Sequence, residues 1–254
     1  MSFADLQFLF YFLPAFLAVY YIVPRGWKNA ALALGSFAFY FFGAGARDTL
    51  LLFAVTAVHY ALARLMAGRA KSLRLALLLC ALAADLYCLV FFKYAGFILE
   101  NVGILTGTEF SPLSLALPLG LSFYLFQSAG YLIDVFRGAE AVRNLIDYAA
   151  FTAAFPQLVM GPILRYSDWR GALKERTLRR TDAELGFERF CVGLCFKVLL
   201  ADQLAPLWAA IERIGYEYLS TPLAWLGAVG YSLQLYFDFH GYSLMAMGLG
   251  QMLG

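Results

Sequence analysis

Polar residues cluster in one short stretch of an otherwise very apolar chain, Tyr236-Phe-Asp-Phe-His-Gly-Tyr-Ser243. The stretch brings together a carboxylate, an imidazole, a glycine and hydroxyl groups. It follows an uncharged run, Tyr218 to Phe237, that is long enough to cross a bilayer. Polar groups at that depth are costly and usually functional, so we expect this motif to serve the chemistry of the protein.

The carboxylate and the imidazole of the motif could together carry out general acid–base catalysis. Asp238 and His240 are two residues apart, however, so their side chains diverge on a regular helix. Only a kink at Gly241 would bring them together. The spacing therefore favours a role in lining a pathway or in pairing helices. Besides His240, the candidate residues for this role are Gln234, Asp238, Tyr242 and Ser243.

Two further polar residues lie inside apolar runs. Asp85 is in the middle of the run Leu75–Phe92, where a lone carboxylate costs about 2.5–3.5 kcal/mol on insertion scales. It either lines a pathway, pairs with a polar group on another helix, or is protonated against a backbone carbonyl. His59 lies on an otherwise apolar helix, and we interpret it as a packing residue with satisfied hydrogen bonds.

A polar stripe and a single arginine have two interpretations each. Gln127, Ser128 and Tyr131 can share one helix face, because residues three and four apart meet on a helix. Such a stripe either joins helices or lines a cavity. Arg165 could bind a phosphate or carboxylate in bidentate fashion, or it could anchor the chain at the membrane interface.

The elements that position these residues are predicted to be membrane helices. Hydrophobic residues make up 62% of the chain and charged residues 14%, whereas a soluble domain has about half and about a quarter. The net charge of +2 is too small to argue for nucleic acid as a partner. The candidate spans are Leu6–Val23, Ala30–Ala44, Thr49–Met66, Leu75–Phe92, Leu113–Val135, Tyr148–Leu164, Phe190–Trp208 and Pro222–Phe237, followed by an apolar piece from Gly241.

The distribution of lysine and arginine predicts the orientation of these spans. The loops that follow the first and third spans are basic, with Arg25 and Lys28 in one and Arg64 to Arg74 in the other. Basic loops face the cytoplasm, so the N-terminus is predicted to lie outside. The first span is interpreted as a retained helix rather than a signal peptide. Lys174 to Glu188 is predicted to form an amphipathic helix along the inner interface.

This orientation requires Tyr148–Leu164 to enter and leave the membrane on the same side. Phe155-Pro-Gln157 and Gly161-Pro162 permit this, because proline interrupts a helix, and Pro118-Leu-Gly120 is expected to bend the preceding span. Broken helices survive at membrane depth only beside protein or a water-filled cavity. The predicted fold is an all-α polytopic membrane protein, a single domain over residues 1–254, with kinked and re-entrant helices around a polar cavity.

Several motifs, in order along the whole chain, resemble those of the membrane-bound O-acyltransferase family. The likeness is to its bacterial branch that modifies alginate and teichoic acid. The motifs that carry it are Leu117-Pro-Leu-Gly-Leu-Ser-Phe-Tyr124, Tyr131-Leu-Ile-Asp-Val-Phe-Arg-Gly138, Phe155-Pro-Gln-Leu-Val-Met-Gly-Pro162 and Tyr236–Ser243, with Phe8–Pro14 and Phe91–Phe97 in support.

The resemblance implies a ring of tilted helices around a thin central wall, in a bacterial inner membrane. It implies transfer of an acyl group, with acetyl preferred, from a cytoplasmic donor such as acetyl-CoA or an acyl carrier to hydroxyls of an exported polysaccharide. No bound cofactor is implied, and periplasmic or carrier-protein subunits are implied partners. The tunnel wall would include Gln234, Asp238, Tyr242 and Ser243. The donor side would include Pro156, Gly161, Pro162 and Arg165.

The chain departs from the family pattern in two respects. The family's key histidine lies in a Trp-His-Gly motif downstream of the segment that matches Tyr236–Ser243, and the sequence stops at Gly254 before that motif. His240 is not its counterpart, so this fragment alone is expected to be inactive. The family also has serine where His240 stands and aspartate where Leu244 stands.

Two alternative functions stay open. A transporter or channel would also use broken helices and polar groups at the bilayer midplane, but such proteins usually carry internal repeats, and the sequence shows none. A non-catalytic membrane scaffold would keep the helices without the chemistry. Reading the gene past Gly254 separates this second alternative from the enzyme.

Overall fold

The computed structural model describes residues 2–108, 116–161, 164–176 and 179–254, and over these residues the protein is helical without strands. Helices account for 83% of the structure. The protein is therefore an all-α polytopic membrane protein, as predicted. The described helices are α1 (Phe8–Ile22), α2 (Lys28–Met66), α3 (Lys71–Thr106), α4 (Leu121–Arg137), α5 (Leu145–Thr152), α6 (Tyr166–Lys174), α7 (Arg180–Ile214) and α8 (Thr221–Leu253).

Three of the described helical stretches are long and apolar enough to cross a membrane. They are Arg25–Met66, Lys71–Thr106 and Arg180–Ile214. Helix α1 is also apolar but shorter. Two of the three crossing stretches contain a π-helical turn, at Val90–Tyr94 in α3 and at Phe196–Ala201 in α7. Such turns accommodate an extra residue within a continuous helix and are frequent at functional sites.

The predicted break between the spans Ala30–Ala44 and Thr49–Met66 coincides with a kink in α2, where two helical segments meet without an intervening loop. The helix changes direction at Gly45, whose φ of 85° and ψ of 175° are accessible to glycine and rare for other residues. The hydroxyl of Thr49 donates a hydrogen bond to the carbonyl of Gly45 at 2.8 Å. A glycine therefore redirects the chain here without a loop.

The predicted separation of Pro222–Phe237 from an apolar piece at Gly241 is wrong. Helix α8 continues from Thr221 to Leu253 without a break at Gly241. Pro222 stands in the first turn, where its missing N–H is not needed. The polar motif is consequently part of one regular helix, which sets the directions of its side chains.

The described chain divides into two compact units. The larger unit runs from Tyr20 to Val159 and continues to Leu173, and the other combines the segment up to Val19 with the residues from Lys174 onwards and a short piece at Met160. The interpretation of residues 1–254 as a single membrane domain stays a prediction. A buried cluster in the larger unit joins α2 to α4 and to the turn after α5, through Tyr40, Leu52, Leu121, Tyr124, Leu125, Ala153 and Leu158.

The predicted interruption of Tyr148–Leu164 is confirmed for the described residues. Helix α5 ends at Thr152, and a non-helical turn containing Phe155, Pro156 and Gln157 follows. The turn is buried; Phe155 is fully enclosed. Its amide donates a hydrogen bond to the hydroxyl of Ser36 at 3.0 Å. Protein therefore surrounds the broken segment, as an irregular backbone at membrane depth requires.

The segment Pro118-Leu-Gly120 begins a helix instead of bending one. Helix α4 starts at Leu121, and the predicted span from Leu113 begins in residues outside the described part. Gly120 has a φ of 68°, and a Cβ there would lie 2.3 Å from the carbonyl oxygen of Leu158. The hydroxyl of Tyr40 donates to the carbonyl of Leu119 at 2.6 Å. Glycine is therefore needed for this close approach.

The predicted amphipathic helix over Lys174 to Glu188 is wrong. Lys174 is the last residue of α6, and α7 begins at Arg180. Arg179 has the extended backbone angles φ −95° and ψ 141°, so the two helices do not join.

Candidate functional site

Asp238, the acidic residue of the polar motif, forms an ion pair with Lys197. The Nζ atom of Lys197 lies 2.8 Å from Oδ1 of Asp238 and 2.8 Å from Oδ1 of Asp202. The side chains of Lys197 and Asp238 are 24% and 30% exposed. One cation thus serves two carboxylates, which leaves the group with an excess of negative charge beside an apolar helix.

The local structure of α7 places Lys197 and Asp202, the carboxylate that shares this cation with Asp238. Lys197 lies in the π-helical turn Phe196–Ala201, and Asp202 begins the α-helical part that follows. The extra residue of a π-turn alters the direction of the side chains around it. Lys197 and Asp202 are five residues apart, and in this turn they meet.

Glycines set the distance between α7 and α8. A Cβ at Gly193 would lie 2.5 Å from the carbonyl oxygen of Gly241, and a Cβ at Gly241 would lie 2.7 Å from that of Gly193. Gly186 and Gly248 approach each other in the same way, two helical turns along, so the helices are antiparallel. Small residues let helix backbones approach closely. Gly241 therefore allows α7 and α8 to pack closely, and it does not act as a hinge.

The remaining candidates of the motif lie along α8. Gln234, Asp238 and Tyr242 follow one another at steps of four residues, so they lie along one face of the helix. The Oε1 atom of Gln234 is buried and has no hydrogen-bond partner among the described residues. The ring of Tyr242 stacks on that of Phe3, with centroids 4.7 Å apart. Ser243 is partly buried and begins the next face.

His240 is not paired with Asp238. Its ring contacts the rings of Phe196 and Tyr236, with centroids 5.3 and 5.6 Å away, whereas the carboxylate of Asp238 is taken by Lys197. Because α8 is regular at Gly241, the two side chains point in different directions. The acid–base pairing that would need a kink is therefore absent from this part of the structure.

The candidates for the donor side have different environments. Pro156 is buried in the larger unit, and Gly161 is buried in the other unit. Pro162 lies outside the described residues. The side chain of Arg165 is exposed, and its carbonyl accepts a hydrogen bond from the amide of Asp168 at the start of α6. Their role in binding a donor stays a prediction.

Two members of the polar stripe on α4 join structural elements. The side-chain amide of Gln127 donates to the carbonyl of Phe151 at 2.9 Å, and that of Gln157 donates to the same carbonyl at 3.0 Å. The hydroxyl of Tyr131 accepts a hydrogen bond from the amide of Val142 at 2.9 Å. These contacts favour the interpretation of Gln127 and Tyr131 as residues that join helices.

Asp85 is paired with a polar group on another helix, which decides between its alternatives. Its Oδ2 atom lies 3.1 Å from Nε2 of His59, and Nδ1 of His59 lies 2.9 Å from the carbonyl oxygen of Val55. Both side chains are buried. His59 is thus a packing residue with satisfied hydrogen bonds, as predicted.

Sequence reasoning missed Lys197 and Asp202. Both are charged residues inside the predicted span Phe190–Trp208, and the rule that singled out Asp85 would have found them. The described residues contain no group of three or more His, Cys, Asp or Glu side chains arranged to hold a metal ion.

Comparison with known proteins identifies relatives over the whole chain. The probable alginate O-acetylase AlgI of Pseudomonas aeruginosa is 42% identical over 100% of this chain, and the match covers 50% of that protein. The same protein of Azotobacter vinelandii is 41% identical, with 52% of it covered. The chain therefore spans about half the length of these curated relatives.

A more distant relative extends the comparison to another polymer. The peptidoglycan O-acetyltransferase of Helicobacter pylori is 30% identical over 96% of this chain, and 52% of that protein is covered. No family model matches the chain. Over its whole length the chain is homologous to these members of the membrane-bound O-acyltransferase family, and it covers about half of each of them.

Proposed function

We propose that the full-length protein transfers an acyl group, most simply acetyl, from a cytoplasmic donor to hydroxyls of an exported polysaccharide. The observation that carries this proposal is the 42% identity with an alginate O-acetylase across the whole chain. The likeness to a peptidoglycan O-acetyltransferase supports a saccharide as the acceptor. The donor is acetyl-CoA or an acyl carrier.

The chemistry defines what the protein has to supply. A hydroxyl oxygen of the acceptor attacks the carbonyl carbon of the donor thioester, and the carbon–sulfur bond breaks as the new ester forms. The hydroxyl proton passes to a general base, and the thiol leaves with a proton. Polar groups near the carbonyl stabilise the oxyanion of the intermediate. The family resemblance assigns the base to a histidine that this sequence does not contain.

The contribution of this chain is the wall of the transfer path. Asp238 would present a fixed carboxylate, because Lys197 holds it at 2.8 Å. Gln234 and Tyr242 would extend the same face of α8, and Ser243 would adjoin it. The buried Oε1 atom of Gln234, which has no partner among the described residues, supports this role, since such an atom is free to bond to water or to a ligand in the path.

The donor side would be built by the interrupted segment and the arginine that follows it. Pro156, Gly161 and Pro162 would shape the turn, and the exposed guanidinium of Arg165 would contact a phosphate or carboxylate of the donor. The protein would lie in a bacterial inner membrane with its N-terminus outside. Membrane lipid, the polysaccharide and further periplasmic or carrier subunits would be its partners.

The test uses the full-length protein in proteoliposomes. Radiolabelled acetyl-CoA is supplied on one side and a mannuronate oligosaccharide on the other, and base-labile label on the oligosaccharide is measured. We expect acetyl esters to accumulate with time and protein. Label that crosses the membrane as free acetate without ester formation would favour a transporter, and label that stays entirely on the donor under all conditions would contradict the proposal.

A further inference from the structure

A pocket lined by arginines lies where α2 ends, α3 begins and α4 ends. Its volume is about 310 Å³, and its walls include Arg64, Arg74 and Arg143 together with Glu140. All of these residues belong to the larger unit. None is a candidate of the polar motif, and the proposed acyl transfer does not use them.

Hydrogen bonds hold the walls of this arginine pocket in place. The Nη2 atom of Arg74 donates to the carbonyl of Val135 at 2.6 Å and to that of Phe136. The hydroxyl of Tyr60 donates to the carbonyl of Arg143 at 2.6 Å. The pocket is therefore formed before any ligand arrives, which lowers the entropic cost of binding.

The charge of the pocket is positive. Three arginines line it against one glutamate, and Glu140 is shared between Arg143 at 3.3 Å and Arg170 at 2.6 Å. The Nε atom of Arg74 is buried and has no hydrogen-bond partner among the described residues. This donor is free to bond to a ligand, since buried donors are almost always bonded to protein or ordered water.

We propose that the arginine pocket binds a phosphate group. Guanidinium groups bind phosphate oxygens in bidentate fashion, and several of them around one cavity neutralise a dianion or a phosphodiester. The pocket lies at the adjoining ends of two helices long enough to cross a membrane, Arg25–Met66 and Lys71–Thr106. The ends of membrane-crossing helices lie near the lipid headgroups, and basic pockets between such helices bind anionic headgroups. A soluble phosphate offers the same chemistry.

The experiment measures ligand binding by the full-length protein, so it does not depend on acyl transfer. Detergent-solubilised protein is titrated with phosphatidylglycerol, with phosphatidylcholine and with inorganic phosphate, and native mass spectrometry counts bound molecules. The test variant is Arg64→Gln/Arg143→Gln, which keeps Arg74 and its helix contacts. The control is Arg69→Gln. Arg69 is an exposed cation in the turn between α2 and α3, and it does not line the pocket.

We expect phosphatidylglycerol to bind more tightly than phosphatidylcholine, and the double variant to weaken it roughly tenfold or more. Arg69→Gln should change it much less. If inorganic phosphate binds with the same dependence on Arg64 and Arg143 and lipid does not displace it, the phosphate source is soluble. Equal losses in the double variant and in Arg69→Gln, or no loss in either, would overturn the proposal.

Discussion

Lys197 on α7 and Asp238 on α8 form an ion pair with an N–O distance of 2.8 Å. Lys197 also contacts Asp202 at 2.8 Å, so it is the cation between two carboxylates. The contact depends on the close approach of Gly193 and Gly241, which brings the two helix backbones together one turn away. The acidic residue of the polar motif is therefore positioned by the packing of two helices.

The first prediction concerns the coupling between these charges. Lys197→Met leaves two carboxylates without their cation, so we expect a loss of about 1–3 kcal/mol in stability. Asp238→Asn should cost less, because Lys197 keeps Asp202. Thermal unfolding of the single and double variants in detergent gives the coupling energy, expected at about 0.5–3 kcal/mol.

A surface pair on the same helix provides the control. Arg180 and Glu184 are 2.9 Å apart, with side chains 92% and 62% exposed. Arg180→Gln should therefore change stability by about 0.5 kcal/mol or less. A Lys197–Asp238 coupling as small as that of this exposed pair would show that the partly buried contact is energetically unimportant.

The second prediction concerns the glycine contact between α7 and α8. Gly193→Ala places a methyl group 2.5 Å from the carbonyl oxygen of Gly241, and the helices must separate. We expect a loss of about 1–3 kcal/mol from overpacking. Gly250→Ala is the matched control, because a Cβ at Gly250 would meet no atom within 4 Å, and alanine is the better helix former by about 1 kcal/mol. Equal melting temperatures for both variants would refute the contact.

The third prediction concerns the buried pair of His59 and Asp85. A backbone carbonyl only accepts hydrogen bonds, so Nδ1 of His59 carries a proton toward Val55, and one further proton lies between Nε2 and Oδ2 of Asp85. His59→Leu leaves the carboxyl group buried without its partner, and should cost about 3–5 kcal/mol. His59→Leu/Asp85→Leu removes both groups and should recover part of this loss. A double variant less stable than the single one would contradict the pairing.

The class of the fold was predictable from composition, while the helix boundaries were not. An apolar chain with basic loops is expected to be a membrane protein whatever its tertiary contacts. Pro156 favours an interruption because it lacks an amide hydrogen, although α7 accommodates Pro206 within a helix. The presence of glycine at positions 45 and 241 does not by itself determine the local structure. Glycine permits a kink at the first and close packing at the second, and only the neighbouring helices decide which occurs.

The partner of Asp238 was beyond prediction from spacing alone. Lys197 stands 41 positions earlier in the sequence, and the contact requires a π-turn in α7 together with the registration of two glycine pairs. Residues of the same helix, such as Gln234 and Tyr242, were found because polar residues stand out in an apolar run. The family resemblance was recognisable because short sequence motifs occur in order along the chain.

The most direct test of the account is the initial rate of acetyl transfer from acetyl-CoA to an oligosaccharide by the Asp238→Asn variant of the full-length protein in proteoliposomes. Asn keeps the shape of the side chain and removes the charge that Lys197 holds, so we predict a rate at least roughly tenfold below that of the wild type. Asp202→Asn, which leaves the Lys197–Asp238 pair in place, should stay close to the wild-type rate. Transfer at the wild-type rate by a folded Asp238→Asn protein would contradict the assignment of this motif to the acyl-transfer path.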